Sequence, residues 1–484
     1  MNVRMIGRIL SQIIGIEAVF LLPALGISLG YGEFQAAEGF VLTLSIMAFV
    51  ASLLWLICRK ASKQIGASEG MISVSLGWVV LSLFGCLPFF FSRQIPTFID
   101  AFFETVSGFT TTGASVLSDV ESLSKGLLYW RSFSNWLGGM GVLVFLLAIA
   151  PTDSQGSGFT MHLLRAESPG PDVGKLVPRM KKTASILYLI YIGLTALDLI
   201  LLLFGNMSFL DAICTAFSTA GTGGFGVRND SFASFSPYIQ NVTTVFMFLF
   251  GINFSCFYLL LLGNIKSIFK DEELRLYICL ALGVILLIGL NIHHLYSSWA
   301  DTFRHAAFQV STIITTTGFA TADFDMWPMF SKGLLLLLMV VGACAGSTAG
   351  GLKCARLLLL FKSLGRNIRK LVNPKKVQVV RINGRAVGET VIDHANAYLA
   401  AYVIIIVLSF LVISIDNQTI GTNLSAVLAC FNNIGPGMEA VGPTCNFAFF
   451  SPLSKLVLIF DMLAGRLELF PILALFHPAI WQKG

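Results

Sequence analysis

The chain has 484 residues, of which 55% are hydrophobic and 12% are charged. Phenylalanine alone, with 41 residues, outnumbers the 32 lysines and arginines together, a balance that a soluble domain of this length would not tolerate. The net charge of +6 is too small to indicate nucleic-acid binding, and the sequence contains no P-loop, catalytic triad or paired-carboxylate motif. The composition therefore predicts a multi-pass membrane protein that is not an enzyme.

Ten apolar segments are predicted to cross the roughly 30 Å of hydrocarbon in a bilayer. Lysines and arginines collect in the loops after the second span and between the repeats described below, and the positive-inside rule places these loops in the cytoplasm. Both termini are then cytoplasmic. The predicted spans are residues 6–30, 37–58, 69–91, 126–150, 183–204, 243–262, 274–295, 332–361, 397–415 and 453–475.

A half-helix too short to span the bilayer, followed by a turn rich in threonine and glycine, recurs between pairs of spans with a period of roughly 95 to 120 residues. Non-helical backbone at membrane depth is tolerated only where it is buried in protein or lines a watery cavity. Four such turns at one axis could replace the water around a dehydrated cation, and glycine suits the tightly curved backbone that this requires. The four copies are 98–115, 209–225, 305–321 and 423–437.

These patterns predict an all-α polytopic fold with four pseudo-symmetric repeats of span, pore helix, filter and span around one central pore, preceded by two extra transmembrane helices. The predicted units are two leading helices (1–68), repeat one (69–150), a cytoplasmic loop (151–182), repeat two (183–264), repeat three (265–361), a basic cytoplasmic segment (362–395) and repeat four (396–484).

The turns SGFTTTGAS, AFSTAGTGGFG, IITTTGFAT and NNIGPG resemble those of the Trk, Ktr and HKT superfamily of potassium transporters. The resemblance covers about residues 69–484, and the two leading spans and the GACAGSTAGG segment bring the chain closest to the bacterial Trk-type pore subunits. It implies potassium uptake across the bacterial inner membrane by a homodimer that is gated by a cytosolic, TrkA-type nucleotide-binding regulatory ring. The potassium ion is the expected substrate, the lipid bilayer is the surroundings, and no bound cofactor or nucleic acid is expected.

The resemblance also implies a selectivity filter made of one short segment from each turn. In plant relatives a serine at the glycine of the first repeat goes with sodium preference, so Gly113 implies a preference for potassium. Potassium is expected to bind at the filter only. The implied filter residues are Thr110, Thr111, Thr112 and Gly113; Ala220, Gly221, Thr222 and Gly223; Thr315, Thr316, Thr317 and Gly318; and Ile434, Gly435, Pro436 and Gly437.

Residues 340–353, VVGACAGSTAGGLK, place four glycines inside an apolar run. A glycine costs a helix interior about 1 kcal/mol relative to alanine, so the cluster indicates a break. One interpretation is close helix packing through small residues; the other is an unwound intramembrane gate near 342–351, below the filter, as the resemblance implies. The predicted gate residues are Gly342, Gly346, Ser347, Thr348, Gly350, Gly351 and Arg466.

Charged and polar residues inside predicted spans are costly in lipid and must find water or a partner. Arg131, with Ser134 and Asn135 nearby, is therefore expected to face protein or water. Arg466 either forms an ion pair with Glu468, Asp461 or a neighbouring helix, or acts as an electrostatic barrier in the cation path.

Residues 377–392 alternate apolar and polar side chains about Asn383 and Gly384, a pattern that predicts a β-hairpin. Beside this hairpin, the basic segment either contacts lipid headgroups or docks a cytosolic partner. The transport mechanism also has two alternatives. One is a channel-like conduit; the other is a secondary transporter that couples potassium to protons or sodium, for which Asp198 and Asp461 are the candidate coupling residues.

Overall fold

The computed structural model describes residues 2–60, 66–141, 180–376, 378–478 and 481. Throughout these ranges the chain is helical apart from loops and one short hairpin, as the sequence predicts. The second half of the predicted span 126–150 and nearly all of the predicted cytoplasmic loop 151–182 lie outside the described residues.

Two leading helices precede four repeats, each with an outer helix, a short pore helix and an inner helix. The leading helices are α1 (Val3–Gly30) and α2 (Phe34–Cys58). Repeat one contains α3 (Ala67–Gly85), α4 (Leu87–Phe91), the pore helix α5 (Phe98–Phe109) and α6 (Lys125–Gly139). Repeat two contains α7 (Met180–Phe204), the pore helix α8 (Phe209–Gly221), α9 (Pro237–Phe250) and α10 (Phe254–Leu261).

Repeats three and four follow the same order. Repeat three begins after the short helix α11 (Ile265–Lys270) and contains α12 (Glu272–Ile292), the pore helix α13 (Trp299–Ile314), α14 (Met329–Val341) and α15 (Cys354–Val372). Repeat four contains α16 (Glu389–Ile413), the pore helix α17 (Ile420–Phe431), α18 (Pro452–Arg466) and α19 (Phe470–Leu475). Short 3-10 helices lie at His293–Leu295, Phe324–Met326, Ser414–Asp416 and Glu439–Val441.

The described part of the chain has six helices that are long and apolar enough to cross a membrane, namely the two leading helices and the outer helix of each repeat. The protein is thus an integral membrane protein. Within the described ranges, no inner helix meets this criterion as a single helix, and α9 and α10 form a pair bent by 91°.

The inner helices differ from the sequence prediction in repeats two and four, where the segments 243–262 and 453–475 are predicted to be continuous. The helix of repeat two breaks at 251–253, where the Asn253 side chain caps α10 by accepting a hydrogen bond from the Ser255 amide at 2.9 Å. The helix of repeat four breaks after Arg466, because Glu468 and Leu469 adopt left-handed φ values of 57° and 63°. The break predicted in repeat three is present between α14 and α15.

Three of the four pore helices are capped by polar side chains at their N-terminal ends. Side chains of Ser208, Ser298 and Thr419 accept hydrogen bonds from first-turn amides of α8, α13 and α17. Acidic residues occupy the first turn of the first three pore helices, at Asp100, Asp211 and Asp301. Polar caps and acidic side chains both stabilise the partially positive N-terminal end of a helix. The partially negative C-terminal ends of the pore helices are directed at the filter turns.

The predicted hairpin is formed by two antiparallel strands, β1 (Arg381–Ile382) and β2 (Arg385–Ala386). Asn383 and Gly384 join them with φ values of 51° and 76°, the pair of left-handed residues that a tight type I′ turn requires. The Asn383 side chain accepts a hydrogen bond from the Glu272 amide at 2.8 Å and donates one to Asp271 at 2.9 Å. The hairpin is therefore docked on the first residues of α12.

Candidate functional site

Each pore helix ends in the same turn. In each turn, the backbone amide of the third residue donates a hydrogen bond to the carbonyl five residues earlier, at 2.8 to 2.9 Å in all four repeats. These bonds run from Thr112 to Ser107, from Gly223 to Ser218, from Thr317 to Thr312 and from Ile434 to Ala429. Three different sequences, one of which occurs in both repeats one and three, therefore adopt one backbone geometry.

Two positions in every turn have positive φ. The first has φ between 52° and 55° and is occupied by Thr111, Thr222, Thr316 and Asn433. The second comes two residues later, has φ between 69° and 95°, and is always glycine: Gly113, Gly224, Gly318 and Gly435. Left-handed backbone costs a side-chain-bearing residue roughly 1–2 kcal/mol, so the glycine position is conformationally favoured in all four turns.

The structurally equivalent segments are consequently 110–113, 221–224, 315–318 and 432–435. The first and third coincide with the filter segments predicted from the sequence. The second begins one residue later than the predicted segment, because Gly224, and not Gly223, is the glycine with positive φ. The fourth is shifted by two residues, since Gly435 takes this role, and Pro436 and Gly437 follow the turn.

The four glycines form a closed ring of contacts. A Cβ added to any of them would lie 2.8 Å or less from the carbonyl oxygen of the residue that precedes the glycine of the next repeat. The contacts run from Gly113 to Gly223, from Gly224 to Thr317, from Gly318 to Ile434 and from Gly435 back to Thr112. The turns thus surround one axis in chain order, with backbone packed directly against backbone.

The threonine and asparagine side chains of the turns are buried, and several of them form hydrogen bonds at the turns. In repeat one the Thr110 hydroxyl donates to the Val106 carbonyl at 2.7 Å and lies 2.8 Å from the Thr112 hydroxyl. Repeat three has the same arrangement at Thr315 and Thr317. In repeat four, asparagines replace the threonines. The Asn433 side-chain amide donates to the Thr112 hydroxyl at 2.9 Å and so links the fourth turn to the first.

Below the filter turns, the chain between α14 and α15 is non-helical and mostly buried. Gly342, Gly346 and Gly351 have φ values of 70° to 76°, and Lys353 has a φ of 73°. The Gly350 amide donates to the Thr316 hydroxyl at 2.7 Å, and Thr348 donates to the Phe250 carbonyl at 3.3 Å. This segment, 342–353, is called the gate loop below, after the role predicted for it from the sequence, and it contacts the third turn.

Arg466 fastens the gate loop to two other repeats. It lies at the end of α18 and donates to the Thr348 carbonyl at 2.9 Å and to the Gly139 carbonyl at 2.7 Å. The same guanidinium also donates to the carbonyl of Gly138. Of the acids that the sequence offers as its partner, Glu468 forms an ion pair with Arg356 and Asp461 accepts a hydrogen bond from Ser409.

Glu273, at the start of α12, binds the first half of the gate loop and the first turn of α15. Its Oε1 atom accepts hydrogen bonds from the Ala345 amide at 2.5 Å and from the Ala355 amide at 3.1 Å. The buried Lys353 ammonium donates to the Ala349 carbonyl inside the loop. The loop is therefore fixed by charged side chains from two repeats and from its own end.

Carboxylates also tie the outer loops together. Glu439 follows the fourth turn, and its pKa is held below the ordinary 4.5 by hydrogen bonds from the Thr419 hydroxyl and from the amide and hydroxyl of Thr422. The Asn229 side-chain amide donates to Asp119 at 2.8 Å and lowers the pKa of that carboxyl. Within the described ranges, no group of three His, Cys, Asp or Glu side chains is arranged to hold a metal ion.

The chain matches the sequence profile of the TrkH family, described as cation transport proteins, over residues 36–483. The chain belongs to the TrkH family. It is 38% identical to the Trk system potassium uptake protein TrkH of Salmonella typhimurium and 37% identical to that of Escherichia coli strain K12, with 100% of both chains covered in each case. The crystal structure of the potassium transporter TrkH from Vibrio parahaemolyticus is similar, with a TM-score of 0.89, 33% identity and full coverage of both chains.

Three charged residues of this TrkH-family chain contribute to the site more than the sequence indicates. Arg131 is expected to face protein or water, but the sequence does not identify its partner, Glu104 of α5, at 2.7 Å. In the sequence, Glu273 has the pattern of an ordinary acidic residue in the first turn of a helix. Its contact with the gate loop depends on the fold. An unpaired arginine inside an apolar helix was the available signal, because it calls for an acid on a neighbouring helix.

Proposed function

We propose that the protein takes up potassium across the bacterial inner membrane through a filter formed by the four turns at 110–113, 221–224, 315–318 and 432–435. The observation that carries the proposal is the closed ring of glycine contacts, which brings four backbone segments to one axis. Backbone carbonyls arranged in this way replace the hydration shell of a dehydrated cation. The potassium uptake proteins among the relatives support potassium as the cation.

The preference for potassium over sodium depends on Gly113. A Cβ at this position would lie 2.5 Å from the Gly223 carbonyl oxygen, and the backbone has a φ of 81°. A serine there would strain the first turn and push against the second. We expect the carbonyl spacing, and with it the choice of ion, to change.

The gate loop closes the pathway below the filter, and the gate residues are 342, 346–348, 350–351 and Arg466. A cytosolic TrkA-type nucleotide-binding ring would open it from the cytoplasmic side, where both termini lie. The basic helix α15 continues directly from the gate loop, and Lys362, midway along α15, donates to the Arg381 carbonyl of the hairpin at 2.7 Å. A partner bound to this surface could pull on the loop through α15. The same proposal includes that the protein forms a homodimer.

Cation flux through purified protein in liposomes tests the filter. Wild type should carry potassium down its own gradient and exclude most sodium, and Gly113→Ser should admit more sodium. Gly333→Ser is the matched control, because a Cβ there meets open space. The proposal fails if wild type carries no potassium, or if Gly113→Ser and Gly333→Ser both keep the wild-type selectivity.

Asp198 supports a second candidate, coupled transport with protons or sodium. Its side chain in α7 is fully buried, and neither carboxylate oxygen has a hydrogen-bond partner among the residues that the structure describes. A carboxyl in that state at membrane depth is costly unless it binds a proton or a cation. Coupling predicts that potassium flux follows an imposed proton or sodium gradient and that Asp198→Asn removes this dependence. A channel-like conduit predicts no such dependence in either protein.

A further inference from the structure

A buried ion pair lies beside the first filter turn. Glu104 of α5 and Arg131 of α6 have side chains that are 0% and 3% exposed, and the Arg131 Nε atom lies 2.7 Å from Glu104 Oε1. Taking two charges out of water is expensive, so a fully desolvated pair is kept only where further hydrogen bonds complete it. The remaining bonds of this pair all go to the segments that follow the first and second filter turns.

On the first repeat, the pair binds Ser115 and Val116, which follow the segment 110–113 after one intervening residue. The Val116 amide donates to Glu104 Oε2 at 2.9 Å, and the Ser115 hydroxyl donates to the same carboxylate at 2.9 Å. Arg131 Nη2 in turn donates to the Ser115 hydroxyl at 3.3 Å. The outer end of the first turn is therefore bonded to both members of the pair.

On the second repeat, Arg131 binds the two residues directly after Gly224. Its Nη1 atom donates to the Gly226 carbonyl at 3.1 Å, and its guanidinium carbon lies 3.6 Å above the centroid of the Phe225 ring. One arginine thus joins the outer ends of two adjacent filter turns across the boundary between repeats.

The other repeats do without a charge at the position of Glu104. Counting six residues back from the first residue of each filter segment gives Glu104, Thr215, Gln309 and Ala426. In repeat three the neutral side-chain amide of Gln309 donates to the Ala322 carbonyl at 3.2 Å, in the segment that follows the third turn. The charged pair is therefore a feature of the boundary between repeats one and two, and the other three pore helices form without an acid at this position.

We propose that Glu104 and Arg131 are positioning residues for ion selectivity, which hold the outer ends of the first and second filter turns at the spacing that favours potassium over sodium. This inference rests on the proposed filter. Because the glycine ring packs the first turn directly against the second, a shift of either outer segment changes the carbonyl spacing between them.

Two variants test the pair without leaving a buried charge unpaired. Glu104→Gln/Arg131→Met removes both charges together, which is better tolerated than the loss of one partner. Ser115→Ala removes only the hydroxyl that bonds both side chains. Ser122→Ala is the control, since its hydroxyl donates to the Asp119 carbonyl in the same outer loop and does not contact the pair.

The measurement is the potassium-to-sodium permeability ratio of folded, monodisperse protein in liposomes, with wild type and Gly113→Ser run alongside. We expect the ratio to fall by at least about threefold in the double variant and by less in Ser115→Ala, since residues in one network couple by this order. Ser122→Ala should match wild type.

An unchanged ratio in the double variant overturns the inference. If the double variant does not fold, an unchanged ratio in Ser115→Ala overturns it. In either case, a wild type that conducts potassium and a Gly113→Ser variant that admits sodium would leave the proposed filter standing. Failure of those two proteins would instead remove the filter on which the inference rests.

Discussion

The Nη1 atom of Arg466 donates a hydrogen bond of 2.9 Å to the carbonyl oxygen of Thr348. This contact joins the end of the last inner helix to the middle of the gate loop, and the other guanidinium nitrogen reaches the Gly139 carbonyl of repeat one. Three repeats therefore meet at one side chain directly below the filter. A loop held in this way is fixed by directional bonds from a charged donor.

Replacing Arg466 should weaken the closed gate. Hydrogen bonds from a charged donor contribute about 1.5–3 kcal/mol each, so Arg466→Ala should raise potassium flux without any regulatory partner by about tenfold or more. Radioactive rubidium uptake into liposomes measures this. Arg385→Ala, on the exposed hairpin strand, is the control and should leave the flux unchanged. Equal flux in wild type and Arg466→Ala would contradict the role of this residue in closure.

Glu273 offers a second way to loosen the gate loop, from the opposite side. Its carboxylate accepts amide bonds from Ala345 and Ala355, and the loss of either costs about 1–3 kcal/mol. Glu273→Ala should therefore increase basal potassium flux several-fold. The neighbouring Glu272→Ala removes only the ion pair with Lys362 and should behave as wild type. A Glu273→Ala protein whose basal flux equals that of Glu272→Ala would show that these bonds do not restrain the loop.

The position of the filter in repeat two can be tested with alanine at two glycines. Gly224→Ala places a Cβ against the Thr317 carbonyl and adds a left-handed cost of roughly 1–2 kcal/mol, so potassium flux or its selectivity should be lost. Gly226→Ala should be tolerated, since the nearest atom would lie 3.4 Å from the new Cβ and no positive φ is involved. Flux and permeability ratios distinguish the two variants. Normal selectivity in Gly224→Ala would place the filter elsewhere.

Glu439 should make the stability of the protein sensitive to acid through the outer loops. Its folded pKa lies below the ordinary 4.5, so its contribution to stability is complete above that value and is lost as the pH falls through the folded pKa. The melting temperature of wild type should therefore drop more steeply below pH 4.5 than that of Glu439→Gln. Thr419→Ala, which removes one of the stabilising hydrogen bonds, should show an intermediate slope. Parallel acid curves for wild type and Glu439→Gln would rule out this contribution.

The sequence predicts the four repeats because the physical requirement at each turn leaves a visible mark. A turn at membrane depth needs glycine and small polar residues, and these interrupt otherwise apolar runs at regular intervals. The segments at 110–113 and 315–318 are identical in sequence, Thr-Thr-Thr-Gly, and they share one backbone geometry. The gate loop is visible for the same reason, since four glycines interrupt one inner span.

The position of the second and fourth turns depends on contacts between repeats, which a sequence does not display. Gly221, Gly223 and Gly224 are all plausible in repeat two, and only the approach of Gly224 to the Thr317 carbonyl decides between them. In repeat four, asparagines stand where threonines are expected. The breaks at 251–253 and after Arg466 are also tertiary: Gly251, for example, packs against the Tyr277 hydroxyl and Thr315.

The glycine ring has a consequence for how the four copies of the turn can diverge. Between Thr-Thr-Thr-Gly, Gly-Thr-Gly-Gly and Asn-Asn-Ile-Gly, the last residue is the one shared by every repeat. Each glycine leaves room for a carbonyl of the following repeat, so the requirement for glycine in one repeat is imposed by the next repeat in chain order. The side chains before each glycine are free of that constraint. A pore built from four unequal copies in a single chain can thus adjust each quarter separately, a freedom that four identical subunits lack.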